Sequence, residues 1–197
     1  MLGIAGEYGA ALPELWRRVP GPRLLLWLGS NIGNLDRPAA GAFLARLAAN
    51  MGPRDRLLVG FDRRKDKAVL ERAYDDAAGV TARFNKNLLA HINRELGADF
   101  DLTAFEHRAR YDEQDGRIDM HLVSLVAQTV AIPGADITVR FDAGETIHTE
   151  SSYKHDDAEI AAMAGIAGLH IAAAWRDPEG RFSEVLLERQ LRLSQGA

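Results

Sequence analysis

A short polar turn, Ser30 to Leu35, carries side chains that can hold a small ligand. It follows an apolar run, Arg23 to Gly29, whose continuous apolarity suits a central strand of a parallel sheet that is covered on both faces. In open α/β sheets, ligands bind at the carboxyl ends of such strands. Asn34 offers both a hydrogen-bond donor and an acceptor, which suits an amino-acid carboxylate or amine. Taken by itself, such a turn is more often only a tight connection between a strand and a helix.

Four further residues are notable for their chemistry and their place in predicted elements. Glu150 and Ser152 alternate along a predicted strand, so both side chains lie on one face, by default an exposed polar face. Tyr74 ends a predicted helix, where a lone tyrosine is more often a packed residue with a hydrated hydroxyl. Met120 lies on another predicted strand and is by default a core residue.

Composition excludes several kinds of chemistry. The chain has no cysteine, so it has neither disulfides nor thiolate metal sites. Its 6 histidines are scattered without ligand spacing, so we expect no metal site. No Ser/His/Asp or Cys/His arrangement indicates nucleophilic catalysis.

Charge and hydropathy indicate which kinds of binding partner and which cellular location to expect. The net charge is −4 and the basic residues are spread along the chain, so nucleic acid is not an expected partner. No apolar run approaches the ~20 residues that a membrane span needs, and residues 1–11 do not resemble a signal peptide. We therefore expect a cytoplasmic protein without a membrane partner.

The periodicity of apolar residues predicts a parallel βαβ unit at the start of the chain. Its first strand is the run 23–29, and Asp36 caps the following helix, which has Pro38 in its first turn. Gly52-Pro53 ends that helix, and a second buried strand covers 56–61.

Beyond residue 64 the pattern changes. Helices are predicted at 66–74 and 80–96, and strands within 102–152, among them an antiparallel strand at 118–122. A helix at 156–167 and strands at 170–176 and 182–188 close the chain.

The predicted organisation therefore has three segments. Residues 1–63 form part of an α/β core, 64–154 form an α+β insertion, and 155–197 return to the core. We expect one parallel sheet, built from 23–62 and 169–189.

Six blocks of the sequence resemble, in the same order and spacing, the histidine-specific SAM-dependent methyltransferase family. The blocks are LGSNIGN at 28–34, AYDD at 73–76, GVTARFNKN at 79–87, NRELGADF at 93–100, RIDMHL at 117–122 and GETIHTE at 144–150. The order and spacing are kept from about Gly6 to the end of the chain. Six blocks in register are far more specific than a lone glycine motif.

The resemblance implies an α/β fold: the carboxy-terminal part of a Rossmann-like SAM methyltransferase sheet with an inserted α+β substrate-recognition lobe. It implies S-adenosyl-L-methionine (SAM) as co-substrate and no metal. Glu7 and Tyr8 match the block that lies beside the adenine of SAM, and Gly29 matches the glycine at the strand end near its sulfur.

The same resemblance implies L-histidine as substrate. Asn34 and Tyr74 match residues that hold its amino and carboxylate end, and Tyr74 is the candidate catalytic residue, which orders the amine or accepts its proton through water. Glu150 and Ser152 match the pair that recognises the imidazole, and Met120 matches the wall beside the ring. A carboxylate and a hydroxyl suit this task because each can bond one ring nitrogen, and the carboxylate fixes the tautomer.

The resemblance also implies parts that this chain does not contain. A Gly-rich turn after a first strand and an acidic residue after a second would bind the methionine and ribose of SAM, and amino-terminal helices would complete the substrate pocket. We expect a misassigned start codon, a split or truncated gene, or a separate chain that supplies them. Strand 23–29 would then lack a neighbour, so we expect the chain alone to bind SAM weakly, to leave histidine unmethylated and to associate with itself.

Together these patterns predict a SAM-dependent methyltransferase that converts the α-amine of L-histidine to the trimethylated betaine hercynine, a step of ergothioneine biosynthesis. Two alternatives stay open. One is a relative that methylates another amino acid, although Glu150 argues against an uncharged aromatic ring, which would leave its carboxylate unpaired. The other is a truncated fragment that binds a partner chain and has no turnover.

Overall fold

The computed structural model describes residues 3–190, which divide into two compact units, 3–63 with 155–190 and 64–154. The elements in chain order are α1 (Tyr8–Arg18), β1 (Leu24–Trp27), α2 (Arg37–Asn50), β2 (Arg56–Asp62), α3 (Lys67–Tyr74), α4 (Val80–Leu96), β3 (Phe105–Asp112), β4 (Arg117–Ser124), β5 (Gln128–Ile132), β6 (Ile137–Phe141), β7 (Thr146–Tyr153), α5 (Asp157–Ile166), β8 (Leu169–Arg176) and β9 (Phe182–Arg189). Among the helices of this described part, none is long and apolar enough to cross a lipid bilayer.

The first unit is built on a four-stranded sheet with the strand order β1-β2-β9-β8. β1 and β2 are parallel, as the predicted βαβ unit requires, and α2 connects them. β9, however, runs antiparallel to both of its neighbours, β2 and β8. The expectation of an all-parallel sheet over 23–62 and 169–189 is therefore wrong. The reason is the short connection between β8 and β9, because a hairpin turn can join only antiparallel strands.

Local signals set the bounds of α2. The Asp36 carboxylate accepts a hydrogen bond from the backbone N–H of Ala39 at 2.7 Å, and Pro38 lies in the first turn. Phe43 and Leu44 are buried on its inner face, within the main hydrophobic core of the unit. The predicted helix is thus confirmed. Its N-terminal cap and its buried apolar face both lie where the sequence predicts them.

Helix α1 has no counterpart among the predicted elements. It contains Pro13, and its N-cap residue Glu7 makes no side-chain capping hydrogen bond, so the usual local signals of a helix start are weak. Leu12 and Trp16 of this helix pack against the core of the unit. Tertiary packing, rather than local propensity, stabilises α1.

One face of β1 is exposed in the described residues. Leu24 and Leu26 are 59% and 56% exposed, and Leu28, just after the strand, is 42% exposed. Within residues 3–190 β1 pairs only with β2, and an apolar groove of about 340 Å³ runs along it beside α1. An exposed apolar edge strand is a surface for association.

The second unit has two antiparallel sheets, β3-β4-β7 and β5-β6. The strands between 102 and 152 therefore lie in sheets of their own, as the sequence predicts. Ile118, Met120 and Leu122 of β4 are buried, which confirms the predicted alternation along this strand. Helices α3 and α4 contact β3 and β4 and contribute the buried side chains Leu70 and Leu89.

A β-bulge in β7 sets which side chains face the helices. Glu150 pairs with Met120, whereas His121 pairs with His148, so Thr149 is an extra residue on β7. The Thr149 hydroxyl donates to the Met120 carbonyl oxygen at 3.0 Å. Bulges of this kind re-aim side chains and are frequent beside functional sites.

Candidate functional site

The chain turns sharply after β1, where the first candidate residues lie. Gly29 has φ +70° and Ser30 has φ +56°, both in the left-handed region that favours glycine. The Ser30 hydroxyl accepts a hydrogen bond from the backbone N–H of Asp62 at 2.9 Å, which ties the turn to the end of β2. A short 3-10 helix, Asn31–Asn34, follows and ends at the candidate residue Asn34.

A cavity of about 380 Å³ lies beside this turn in the first unit. Glu7, Tyr8 and Asn34 all line it, so the fold brings together three of the four candidate residues of this unit. Gly29, the fourth, is not among the lining residues. A cavity of this size can enclose part of a nucleotide-like ligand.

The cavity combines aromatic rings with polar groups. The centroid of the Tyr8 ring lies 4.7 Å from that of Trp27 and 6.4 Å from that of Phe43, both in edge-to-face arrangements. Aromatic rings suit stacking on a heterocyclic base. Asn34 adds an amide and Glu7 a carboxylate, which can bond ring nitrogens and hydroxyls. The lining residues therefore suit a heterocyclic ligand that carries hydroxyl groups.

In the second unit, three polar side chains meet in a buried triangle. The Tyr74 hydroxyl lies 2.9 Å from the Ser152 hydroxyl. The Lys154 ammonium donates to the Tyr74 hydroxyl at 2.7 Å and to the Ser152 hydroxyl at 2.8 Å. Lys154 is 0% exposed and Ser152 is 5% exposed. The fold thus brings together two candidate residues and adds Lys154, which the sequence analysis does not predict.

Met120 and Glu150 lie opposite each other on β4 and β7. Met120 is buried in a hydrophobic cluster that Tyr74 also contacts. Ser152 lies opposite Ile118, which is buried in the same cluster as Met120. Because paired residues share a face of the sheet, Glu150 and Ser152 lie on one face, and this part of the prediction is confirmed.

The Glu150 carboxylate is available to a ligand. Glu150 is half-buried and lines a second cavity, of about 280 Å³, with Phe84, Asn85 and Leu88 of α4. Within residues 3–190, its carboxylate makes no hydrogen bond or ion pair. A carboxylate beside a cavity accepts readily from a ligand N–H.

Phe84 and Leu88 are lining residues that the sequence analysis does not single out. They lie four residues apart on one face of α4, and both are exposed, Phe84 by 68%. Their exposure beside Glu150 gives the cavity an apolar wall. From sequence alone, residues at this spacing are indistinguishable from an ordinary packed helix face.

Two buried polar residues hold the end of α3. His107 Nε2 lies 2.8 Å from the Tyr74 carbonyl oxygen, and His107 Nδ1 lies 3.0 Å from Asn85 Nδ2. Because a carbonyl oxygen can only accept, Nε2 carries the proton and Nδ1 accepts from Asn85. The imidazole thereby links α3, α4 and β3, although no local signal in the sequence points to it.

The spacing of Lys154 from Glu150 and Ser152 gives an indication, in the sequence alone, of where its side chain lies. It follows Glu150 and Ser152 at a spacing of two, so strand alternation places all three on one face. From sequence alone, a lysine in this position is predicted to have a solvated ammonium group, and only the packed structure shows that it is buried.

A charged network occupies the other face of β4 and β7. Ser151 donates to the Asp119 carboxylate, which also accepts from Arg117 at 3.0 Å. Burial alone would raise the pKa of Asp119, but these hydrogen bonds lower it overall. Since this face is opposite to that of Glu150 and Ser152, the network supports the sheet.

Among residues 3–190, no cluster of three or more His, Asp or Glu side chains could hold a metal ion.

The sequence is similar to that of known proteins along nearly its whole length. A family model described as histidine-specific methyltransferase, SAM-dependent, matches residues 1–189. A histidine N-alpha-methyltransferase of Mycobacterium tuberculosis is 47% identical over 179 residues, which cover 91% of this chain and 55% of that protein. Ergothioneine biosynthesis protein 1 of Schizosaccharomyces pombe is 30% identical over 193 residues, which cover 95% of this chain and 25% of that protein.

Solved structures give a weaker likeness. A SAM-dependent methyltransferase from Clostridium acetobutylicum matches with a TM-score of 0.45 and 8% identity, over 89% of this chain and 63% of that one. The chain spans about half the length of the mycobacterial relative, 55%.

Proposed function

Because the chain belongs to the histidine-specific, SAM-dependent methyltransferase family, we propose that its protein methylates the α-amine of L-histidine. The product is the trimethylated betaine hercynine, and the reaction is a step of ergothioneine biosynthesis. The similarity to a histidine N-alpha-methyltransferase and to an ergothioneine biosynthesis protein supports this substrate. The enzyme acts in the cytoplasm on small molecules, without nucleic acid or membrane partners.

The first unit binds the cofactor. SAM supplies an electrophilic methyl group on its sulfonium sulfur. Tyr8 and Glu7 hold the adenine side, because their cavity offers aromatic rings and a carboxylate. Gly29 admits the sulfur end at the end of β1, where its backbone has no side chain to obstruct a ligand.

The amino-acid end of histidine is held by an amide and a phenol. Asn34 bonds the carboxylate or the amine through its donor and acceptor groups. Tyr74 orders the amine, which must be neutral to attack, by accepting a hydrogen bond from it, and the proton that the amine loses passes to water. The contacts with Ser152 and Lys154 restrict the Tyr74 hydroxyl to one position, which reduces the entropy lost on reaching the reactive geometry.

The imidazole is recognised in the second unit. Glu150 accepts from one ring nitrogen, Ser152 bonds the other, and Met120 packs beside the ring. The observation that carries the proposal is the unpaired Glu150 carboxylate on the same face of β7 as the Ser152 hydroxyl. These two groups match the two nitrogens of an imidazole.

Calorimetric titration of L-histidine into the protein extended to the length of the mycobacterial relative, with and without the Glu150→Ala substitution, tests this assignment. Loss of a charged hydrogen bond costs about 1.5–3 kcal/mol, so histidine affinity should fall about ten- to a hundredfold while SAM affinity stays the same. Glu106→Ala, at an exposed glutamate of β3, is the matched control and should bind histidine normally. Unchanged histidine affinity in Glu150→Ala would refute the role of Glu150.

Mass spectrometry of the reaction products tests the proposed reaction and the choice of amino acid. Trimethylated histidine supports the proposal, whereas preferred methylation of tryptophan would identify a relative that acts on another amino acid. Binding of histidine and SAM without any methylated product would favour a non-catalytic fragment.

A further inference from the structure

We propose that Lys154 is a positioning residue that makes Ser152 a hydrogen-bond donor toward the ligand ring. This inference rests on the proposed function, because it concerns how the same site reads an imidazole. It goes further in stating which form of the ring the site accepts.

The argument begins with the protons of the buried triangle. An ammonium has three donors and no acceptor, so Tyr74 and Ser152 both accept from Lys154. The two hydroxyls are 2.9 Å apart, so one of them donates to the other. One hydroxyl proton is thereby used inside the triangle, and the second must point out of it.

The chemistry of the two hydroxyls decides which proton points outward. A phenol is the stronger donor and the weaker acceptor, because its oxygen lone pair is delocalised into the ring. Lys154 already occupies the Tyr74 oxygen, so Tyr74 donates to Ser152. Ser152 then accepts from both Tyr74 and Lys154, which fills the two lone pairs of its hydroxyl. Ser152 can therefore only donate to a ligand.

The neighbouring Glu150 has the opposite character. Its ionised carboxylate can only accept, and it shares a face of β7 with Ser152. One fixed acceptor and one fixed donor complement a neutral imidazole, which has one N–H and one nitrogen lone pair. They do not complement an imidazolium, which has two N–H groups, or an indole or pyrrole, which has no acceptor nitrogen. Lys154 thus contributes to specificity through Ser152.

The hydrogen bonds of Lys154 offset the free-energy cost of burying its charge. A buried ammonium is costly unless its protons are bonded, and the two hydroxyls bond two of the three protons of Lys154. A purely structural role would be equally compatible with this burial, so the test must measure which ring the site prefers.

The test compares rings that carry only one of the two functions. Both ring isomers of thiazolylalanine have an acceptor nitrogen and no N–H, and both isomers of pyrrolylalanine have an N–H and no acceptor nitrogen. Their dissociation constants are measured by calorimetry for the wild-type, Lys154→Met and Lys154→Arg chains, each extended to the length of the mycobacterial relative. Circular dichroism confirms that each variant is folded.

In the wild-type chain, pyrrolylalanine leaves the outward proton of Ser152 unsatisfied. In Lys154→Met the Tyr74 oxygen is vacated, so Ser152 can turn its proton toward it. The ratio of the pyrrolylalanine to the thiazolylalanine dissociation constant should therefore fall about tenfold, the usual effect of one unsatisfied buried donor. Lys154→Arg keeps a donor-only cation and should retain the wild-type ratio. A structural defect would weaken both ligands alike and leave the ratio unchanged.

Two further variants keep the inference open to refutation if Lys154→Met does not fold. Lys154→Gln, whose amide can accept as well as donate, should also lower the ratio. Ser152→Ala removes the outward proton and should lower it to the same extent. An unchanged ratio in folded variants of Lys154, or in Ser152→Ala, overturns the inference and leaves the proposed function intact. If the protein extended to the length of the mycobacterial relative does not bind L-histidine, the proposed function fails and the inference fails with it.

Discussion

The Nε2 atom of His107 lies 2.8 Å from the carbonyl oxygen of Tyr74, at the carboxyl end of α3. The backbone of Tyr74 is therefore held by β3, while its hydroxyl is held by Ser152 and Lys154 of the β7 segment. A catalytic candidate fixed at both ends loses little conformational freedom when a ligand arrives.

Removal of the imidazole in His107→Leu should reduce stability and substrate binding together. The Tyr74 carbonyl and the Asn85 amide would each lose a buried partner, so we expect the free energy of unfolding to fall by about 1–3 kcal/mol. Urea unfolding measures this change, and histidine titration should show weaker binding. His170→Leu, at an exposed position on β8, is the control and should change neither quantity. Wild-type stability in His107→Leu would show that the contact with Tyr74 contributes nothing.

Tyr74→Phe should slow methyl transfer more than it weakens histidine binding. The variant keeps the ring but removes the hydroxyl that orders the amine, an effect of about 10²-fold on kcat. Steady-state kinetics with SAM and histidine, on both proteins extended to the length of the mycobacterial relative, separates kcat from KM. Tyr153→Phe is the matched control, because Tyr153 lies next to Ser152 on β7 and therefore on the opposite face, where its hydroxyl accepts from Arg117 at 3.1 Å. Equal turnover by Tyr74→Phe and the wild-type chain would exclude a catalytic role for this hydroxyl.

Asp55→Asn should lower stability at neutral pH but hardly at all in acid. Burial alone would raise the pKa of Asp55, but hydrogen bonds from Gly52, from the backbone of Arg23 and from the Arg23 guanidinium together lower it. A carboxyl group with a lowered pKa in the folded state stabilises the fold above its unfolded value of about 3.9, and this contribution is lost as the pH falls through the folded-state pKa. Breaking a buried ion pair costs about 3 kcal/mol.

Urea unfolding of Asp55→Asn and of the wild-type chain over a range of pH checks this. The two stabilities should differ most near pH 7 and converge below the folded-state pKa. Asp142→Asn, at an exposed loop position, should follow the wild-type curve throughout. A constant difference between Asp55→Asn and the wild-type chain at every pH would contradict the argument.

Leu26→Lys should reduce self-association of the 197-residue chain. Leu24 and Leu26 are more than half exposed on β1, whose described pairing is with β2 alone, so this surface can template contacts between copies. Sedimentation velocity at several concentrations measures the association. Ile166→Lys is the control, since Ile166 is 73% exposed on α5, apart from this strand. Equal association of Leu26→Lys and the wild-type chain would show that the face of β1 is not the contact.

The sequence by itself determined most elements and the family. Asp36 and Pro38 predict the start of α2, Gly97 predicts the end of α4, and the structure has both, with Gly97 at φ +64°. These helix ends depend on residues within one or two turns of each other, so they can be predicted from the local sequence. Motif order and spacing were enough to indicate the histidine-specific methyltransferase family, which the family match over residues 1–189 confirms.

Only the tertiary structure decided the place of β9 beside β2, the existence of α1 and the surroundings of Tyr74. β9 pairs with β2 across more than a hundred residues of chain, and α1 is stabilised by its packing on the core. His107 and Lys154 acquire their contacts to Tyr74 from segments far away in sequence. A local pattern records the polarity and the periodicity of a segment but not its partner. Which strand neighbours which, and which buried polar group satisfies which, is therefore settled only when the segments pack together.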